Sequence, residues 1–159
     1  MNKLQLFTTS AFLITLIFTL TALTNKGGKT KHEQIDSLRA DREKHKQHVL
    51  ELIKGKEKLP SDSVFKSIEI FKGVPAGRLL SIMDMAFSQS LGVSCGHCHN
   101  TKDFSSEEKP EKQIAREMWV FAAKTRDLLK DVKGLKSDNP TINCTTCHRG
   151  QVKPALSLN

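Results

Sequence analysis

The sequence predicts an all-α fold in which one pentapeptide occurs twice. Two segments of the 159-residue chain have apolar residues at helical spacing. Each is followed by a polar connection and then by Cys-x-x-Cys-His, at residues 95–99 and again at 144–148. The pattern therefore predicts two consecutive units of helix, loop and motif. An apolar N-terminal helix and a charged stalk helix are expected before them.

The pentapeptide is the attachment signal for c-type haem. Two thiols three residues apart can add to the two vinyl groups of one haem, and the histidine that follows can ligate the iron. The thiols are Cys95, Cys98, Cys144 and Cys147, and the proximal histidines are His99 and His148. We therefore expect a small multihaem cytochrome c domain with two covalently bound c-type haems. A haem held in this way is a redox centre, which points to electron transfer.

Two other interpretations of the cysteines are weaker. A four-cysteine zinc site also uses paired Cys-x-x-Cys motifs, but it leaves the histidine after each motif without a role. A pair of disulfides would place each bond in a tight loop, which suits a redox-active thiol pair better than a structural crosslink. All four cysteines of the chain lie in the two motifs, so none is left over for another site.

The first 24 residues have the pattern of a signal peptide or an N-terminal membrane anchor. Lys3 precedes an apolar run from Leu4 to Leu23 that is about long enough to span a bilayer. No clear cleavage site follows the run, which slightly favours an uncleaved anchor. Haem is attached to c-type proteins outside the cytoplasmic membrane. The chain is therefore expected on the periplasmic side of that membrane, either anchored or soluble after cleavage.

Composition and charge narrow the class of partner. The chain has a net charge of +8, with eight phenylalanines, one tryptophan and no tyrosine. So few aromatic residues predict a thin core, to which two haems would add apolar bulk. The positive charge favours acidic redox proteins or anionic lipid as partners. The redox donor and acceptor are not identified by the sequence. Neither nucleic acid nor a small-molecule substrate is expected.

Residues 25–62 are predicted to form a charged linker and stalk. Within them, residues 32–54 have sparse apolar positions and many charges, which predicts a helix that ends near Gly55. So polar a helix is expected to be a stalk or a cover, outside the core. The dihaem domain is expected to span residues 63–159, beginning with a short extended run over residues 64–71.

Three histidines lie in the stalk region. His45 and His48 are one helical turn apart and are expected to be solvated, because the helix is so strongly charged. The alternatives are that they ligate haem or form a surface metal pair. The sequence assigns no role to His32.

The first unit combines a helix with a candidate thioether ligand. Residues 76–91 carry an apolar stripe at helical spacing, and Gly92 is placed to end the helix in a left-handed conformation. Met83 lies in the middle of the stripe, whereas Met85 lies some 200° away around the helix. Methionine often supplies the sixth ligand of haem iron in c-type carriers. We therefore predict that Met83 is a ligand and that Met85 is packed or exposed.

The second unit repeats this arrangement. Residues 105–108 have a helix-start signature, and residues 111–132 form an apolar stripe that contains Met118. No histidine occurs between His99 and His148. A second haem with two histidine ligands would need one from further away. This favours Met118 as the sixth ligand of the second haem.

These residues resemble the cytochrome subunit of photosynthetic reaction centres. The likeness lies in residues 78–83, which end in methionine, residues 90–95, which lead into the first motif, residues 115–118 and residues 144–150. It covers roughly residues 64–155. A helix-borne methionine upstream of each motif is a trait of that family, so the resemblance is more specific than the haem motifs alone.

The resemblance implies a ligand for each haem. In that family the methionine of the preceding helix is the sixth ligand of most haems, which implies Met83 for the first haem and Met118 for the second. The best-known members hold four haems, whereas this chain has one pair of motifs, so photosynthesis is not implied. One extra residue separates Met83 from Cys95 relative to some members, which leaves Met85 as a minor alternative.

The sequence therefore predicts an electron carrier with two six-coordinate haems. Electrons would pass between partner proteins at the haem edges, with no open site at iron for a substrate. The alternatives are a dihaem peroxidase-like enzyme, with one open or histidine-ligated iron, and a haem subunit of a larger respiratory complex.

Overall fold

The computed structural model describes Gly28 and residues 30–157. Over these residues the chain is helical and has no strand, which confirms the predicted all-α class. The helices are α1 (Lys31–Leu52), α2 (Ser61–Val64), α3 (Ala76–Ile82), α4 (Pro110–Leu129) and α5 (Cys144–His148). A π-helical segment, Met83–Gln89, continues α3, and a 3₁₀ turn, Cys95–His97, begins the first motif. The predicted leader, residues 1–24, lies outside the described residues.

The chain divides into two compact units, Met1–Gln34 and Ile35–Asn159. Both haem motifs, the cavity described below and helices α2 to α5 lie within the second unit. No helix of the described residues is long and apolar enough to cross a membrane.

Helix α1 begins at a capping box and ends where the prediction placed its end. Thr30 Oγ1 accepts a hydrogen bond from the Glu33 amide, and the Glu33 carboxylate accepts one from the Thr30 amide at 2.7 Å. After the helix, Gly55 has φ +81°, a conformation that glycine adopts at little cost. The expectation that this helix lies outside the core is wrong. Val49 on α1 and Ile53, just after its end, are both buried in the hydrophobic core.

The segment between α2 and α3 is a looped connection. Its two ends are joined, because the Ala76 amide donates to the Leu59 carbonyl and the Ser61 hydroxyl donates to the Phe71 carbonyl at 2.7 Å. The extended run predicted over residues 64–71 is wrong. Ser67 and Phe71 both have positive φ, so the chain turns here and forms no strand. The apolar and the polar residues of this segment alike line a cavity.

The helix before the first motif has the predicted length, but half of it is π-helical, which was not predicted. Helix α3 and its π-helical continuation together fill the predicted residues 76–91. Gly92 follows at φ +66°, which confirms the left-handed end. A π-helical turn closes hydrogen bonds over five residues and thus takes in one residue more than an α-helical turn.

Helix α4 begins one residue before the predicted start at residue 111 and ends three residues before the predicted end at residue 132. Pro110 is its first residue, and Lys109 before it makes no side-chain cap. The signature at residues 105–108 therefore does not start the helix. One of its two glutamates, Glu107, instead pairs with Arg116 and Lys112 on α4, at 2.8 Å in each case. A capping box and an ion-pair anchor have the same residue types, and only the tertiary structure distinguishes them.

The two motifs meet at a close junction between the π-helical segment and α5. The Gly150 amide donates to the Ser90 carbonyl at 2.8 Å, and the hydroxyls of Ser90 and Thr145 are 2.7 Å apart. A Cβ atom on Gly92 would lie 2.0 Å from the Gly150 carbonyl oxygen, so only glycine allows this approach. The end of the first helix is therefore in direct backbone contact with Gly150, just after the second motif.

Candidate haem-binding sites

The first motif opens into an apolar cavity of about 300 Å³. Its walls are α1, the looped connection over residues 64–71, α3 with the π-helical segment, and one side of α4. The cavity brings together four of the predicted ligands and attachment points, which are Met83, Cys95, Cys98 and His99. Few sites other than a haem pocket need two thiols, an imidazole and a thioether on the same apolar enclosure.

The ring of His99 is oriented for a metal. Its Nδ1 lies 3.3 Å from the Phe104 carbonyl oxygen. Because a carbonyl can only accept, Nδ1 carries the proton and Nε2 is left with its lone pair. Burial lowers the pKa of His99, although the bond to the Phe104 carbonyl opposes that effect. The imidazole is thus held neutral, which is the form that ligates iron.

The two thiols of the first motif are half-buried and protonated. Burial is the main cause that raises the pKa of both Cys95 and Cys98, and nearby carboxylates add to it. A thiol of raised pKa is a poor redox nucleophile. These cysteines therefore suit a covalent attachment better than thiol chemistry of their own.

The two methionines of the first helix have different environments. Met83 is half-buried and lines the cavity, whereas the side chain of Met85 is 64 % exposed and does not. The predicted difference between the two faces of the helix is therefore present in the structure.

Helix α1 closes the cavity with a charged contact. Arg42 Nε lies 3.0 Å from Asp84 Oδ1, and its Nη1 lies 3.4 Å from the Val93 carbonyl oxygen near the first motif. His45 lines the cavity and packs edge-on against Phe104, with ring centroids 6.2 Å apart. The expectation that His45 is solvated is thus wrong, because this face of α1 turns inward. His48 is exposed, as predicted.

The second motif forms a short helix with a strong N-terminal cap. Asn143 Oδ1 accepts a hydrogen bond from the Thr146 amide, and Thr146 Oγ1 accepts one from the Asn143 amide, each at 3.1 Å. Arg149 follows in the left-handed region at φ 50°. His148 Nδ1 lies 3.1 Å from the Gln151 carbonyl oxygen, so this imidazole is oriented in the same way as His99.

We predict that Asn143→Ala lowers the free energy of unfolding of the holoprotein by about 1 kcal/mol, because the motif loses its reciprocal cap. Urea titration followed by circular dichroism measures the change. Asn139→Ala, in the exposed loop before the motif, is the control and should leave the free energy nearly unchanged. Equal effects of the two substitutions would contradict a capping role.

The predicted ligand of the second haem lies on an open apolar face. Met118 is 42 % exposed, and its neighbours Ile114, Phe121 and Leu128 on the same face of α4 are 56 %, 57 % and 66 % exposed. The structure does not place Met118 on a cavity shared with the second motif. The pKa of Cys144 is raised mainly by burial, and the charge of Arg126 on α4 opposes that rise. The C-terminal half of α4 therefore lies near this motif.

Sequence reasoning missed the residues that hold the loop after the first motif. Lys112 and Arg116 are buried on α4 and line the first cavity, opposite the face that carries Met118. A hydrogen bond from Arg116 is the main cause that lowers the pKa of Glu107 to about 2, so this carboxylate is ionised at neutral pH. The sequence shows Lys112 and Arg116 one turn apart on an amphipathic helix. This spacing does not predict burial, because pairs of exposed basic residues have the same spacing.

Comparison with known proteins decides the family. The sequence model of the family described as "Photosynthetic reaction centre cytochrome C subunit" matches residues 25–159. The chain belongs to this family. Reaction-centre cytochromes are thus its relatives, which confirms the resemblance drawn from the motifs. Membership of a cytochrome c family implies covalently bound c-type haem, and the residues of the first cavity fit that group.

Individual cytochromes match about half of this chain. The photosynthetic reaction center cytochrome c subunit of Rubrivivax gelatinosus is 38% identical over 82 residues, which is 44% of this chain and 22% of that protein. That of Thermochromatium tepidum is 34% identical over 84 residues, 44% of this chain and 20% of that protein. Cytochrome c-554 of Chloroflexus aurantiacus is 26% identical over 83 residues, 52% of this chain and 20% of that protein. The chain thus spans about a fifth of the length of these relatives.

Proposed function

We propose that this chain is an exported dihaem c-type cytochrome that carries electrons between redox proteins on the periplasmic side of the cytoplasmic membrane. The observation that carries the proposal is the first cavity, where both thiols of a motif, an oriented imidazole and a thioether line one apolar space. Haem supplies a one-electron change at iron when it is bound. Two of the relatives are named as c-type cytochromes, which supports the proposal.

The residues of the first site are proposed to have different roles in holding the haem. Cys95 and Cys98 hold the cofactor covalently, so it cannot dissociate during turnover. His99 would ligate the iron, and the Phe104 carbonyl fixes the tautomer and the ring plane of this imidazole. Met83 is the second proposed ligand. A haem held by both residues would leave no free position at iron for a substrate, and this favours a carrier over an enzyme.

The second site is proposed on the same principle. Cys144 and Cys147 attach the haem, His148 is its proximal ligand, and Met118 is the proposed sixth ligand. The oriented ring of His148 supports this assignment. So does the open apolar stripe of α4 around Met118, because a haem seated there would cover side chains that are otherwise in contact with water.

The carrier's partners are proposed to be a donor and an acceptor redox protein. Contacts of such carriers are small and transient, and the net charge of +8 favours an acidic surface on the partner. Residues 1–24 are proposed as a leader or an anchor that places the domain at the membrane. No role in photosynthesis is proposed.

We predict that the exported, matured protein carries two haems. Intact-mass spectrometry measures this directly, since each attached haem adds a fixed mass, and the same spectrum shows whether the leader is removed. The double variant Cys144→Ala/Cys147→Ala should carry one haem, as should Cys95→Ala/Cys98→Ala. A wild-type mass with one haem or none would contradict the proposal.

A further inference from the structure

The carbonyl group that orients His99 is shared with a buried lysine. Phe104 O lies 3.3 Å from His99 Nδ1 and 3.1 Å from Lys112 Nζ. One backbone oxygen thus accepts from the proximal imidazole and from an ammonium group at the same time. The lysine therefore acts on the hydrogen bond that sets the electron density of the imidazole.

The ammonium group is held firmly in this position. Lys112 is only 9 % exposed, and its Nζ also lies 3.3 Å from the Ser105 carbonyl oxygen and 3.0 Å from that of Ser106. Its remaining partner is Glu107 Oε1 at 2.8 Å. All three carbonyls belong to the loop after the first motif. The lysine therefore holds this loop together, and its ammonium group stays in a fixed position next to the loop.

Glu107 offsets only part of the lysine's charge. Arg116 makes two hydrogen bonds of 2.8 Å to the same carboxylate, one to each oxygen, and is itself 9 % exposed. Two cations therefore share this carboxylate. The second carboxylate of the group, Glu69, lies 3.0 Å from Arg116 and is more exposed. The loop beside His99 thus holds two buried cations, which face one carboxylate that they share and a second, Glu69, that is more exposed to solvent.

The second motif has no equivalent. Its histidine, His148, also bonds to a backbone carbonyl, that of Gln151, but Gln151 is exposed. Among the described residues, no lysine or arginine donates to that oxygen. The two proximal histidines thus have the same orientation and different electrostatic surroundings.

We propose that Lys112 is a positioning residue that raises the reduction potential of the first haem above that of the second. This inference rests on the proposed function, because it requires a haem ligated by His99. A carbonyl that also binds a cation is a weaker acceptor, so it draws less on the imidazole Nδ1–H. The imidazole is then a weaker electron donor, and ferric iron is less stabilised relative to ferrous iron. The fixed positive charge acts in the same direction.

The test measures both potentials in the mature holoprotein. Spectroelectrochemical titration follows the one-electron reduction of each ferric haem, with dithionite as the external reductant. In Lys112→Met we expect the equilibrium constant for reduction of one haem to fall about tenfold, which is about 59 mV for one electron. The other haem should keep its potential. Lys124→Met, which removes an exposed lysine from the same helix, is the matched control and should change neither.

A second readout separates the hydrogen bond from simple loosening of the loop. In the ferrous protein, the nuclear magnetic resonance of the His99 Nδ1 proton should move downfield in Lys112→Met, because the carbonyl becomes a stronger acceptor. The His148 Nδ1 proton should not move. An upfield shift or loss of the His99 signal would show that the lysine only holds the loop, and this result would overturn the inference.

For a third variant we expect a change of the opposite sign in the reduction potential of the first haem. This variant provides the test if Lys112→Met fails to fold. Glu107→Gln removes the carboxylate that offsets the lysine's charge, so the potential of the same haem should rise. A fall in that potential, or equal shifts in the potentials of both haems, would overturn the inference. The proposed function would still stand if the wild-type protein carries two haems. Absence of a haem at the first motif in the wild-type protein would instead contradict the proposed function.

Discussion

Gly92→Ala should lower the free energy of unfolding of the holoprotein by roughly 3 kcal/mol or more. Two costs add at this position. A non-glycine residue at φ +66° costs roughly 1–2 kcal/mol. The new methyl carbon would also lie 2.0 Å from the Gly150 carbonyl oxygen, so the backbone junction between the two motifs must separate. Separation would strip the Gly150 amide of its bond to Ser90.

The chain offers a matched control for the first of these costs alone. Gly134 has φ +86°, and a Cβ built there meets no atom within 4 Å. Gly134→Ala should therefore cost roughly 1–2 kcal/mol, the backbone term without the clash. Urea titration of both variants, followed at the haem absorption and by circular dichroism, gives the difference. Equal losses in the two variants would mean that the junction is looser than the structure shows.

Met83→Ala should change the first haem's ligation and lower its potential. Loss of the thioether opens the sixth position, so the weak methionine-to-iron absorption band should fall by about half if each haem contributes equally. The equilibrium constant for reduction of that haem should fall by at least tenfold, or about 59 mV, because the thioether favours ferrous iron. Absorption spectroscopy and redox titration measure both effects, and Met118→Ala should do the same to the second haem.

Met85→Ala is the control for this experiment. Its side chain is on the same helical segment and is mostly exposed, so both the band and the potentials should stay at their wild-type values. If Met85→Ala removed the band and Met83→Ala left it intact, Met85 would be the ligand. High-spin ferric haem together with peroxide turnover in the wild-type protein would contradict the carrier proposal altogether.

The elements with strong local signals were predictable from the sequence. Helical periodicity gave residues 76–91 and most of α4, and the need for a left-handed residue identified Gly92. The separation of Met83 from Met85 followed from the same periodicity. In each case the signal lies within a few residues of the feature, so no tertiary information was needed.

The features that depend on tertiary contacts were not predictable. A sequence of charges around His45 indicates a solvated helix, and only its packing against Phe104 shows that one face turns inward. Residues 105–108 resemble a capping box, yet Glu107 is used by Arg116, nine residues further along the chain. Whether Met118 reaches the second haem stays a prediction, as do the count of two haems and the leader.

The contact between Ser90 and Thr145 also bears on the speed of electron flow. Tunnelling between two cofactors slows exponentially with the gap between them, so a gap that fluctuates gives a rate that fluctuates. Here the hydroxyl pair at 2.7 Å and the adjoining bond from Gly150 to Ser90 tie the second motif to the helix that leads into the first. If the chain carries two haems, as proposed, this contact would limit changes in the tunnelling distance while partners arrive and leave.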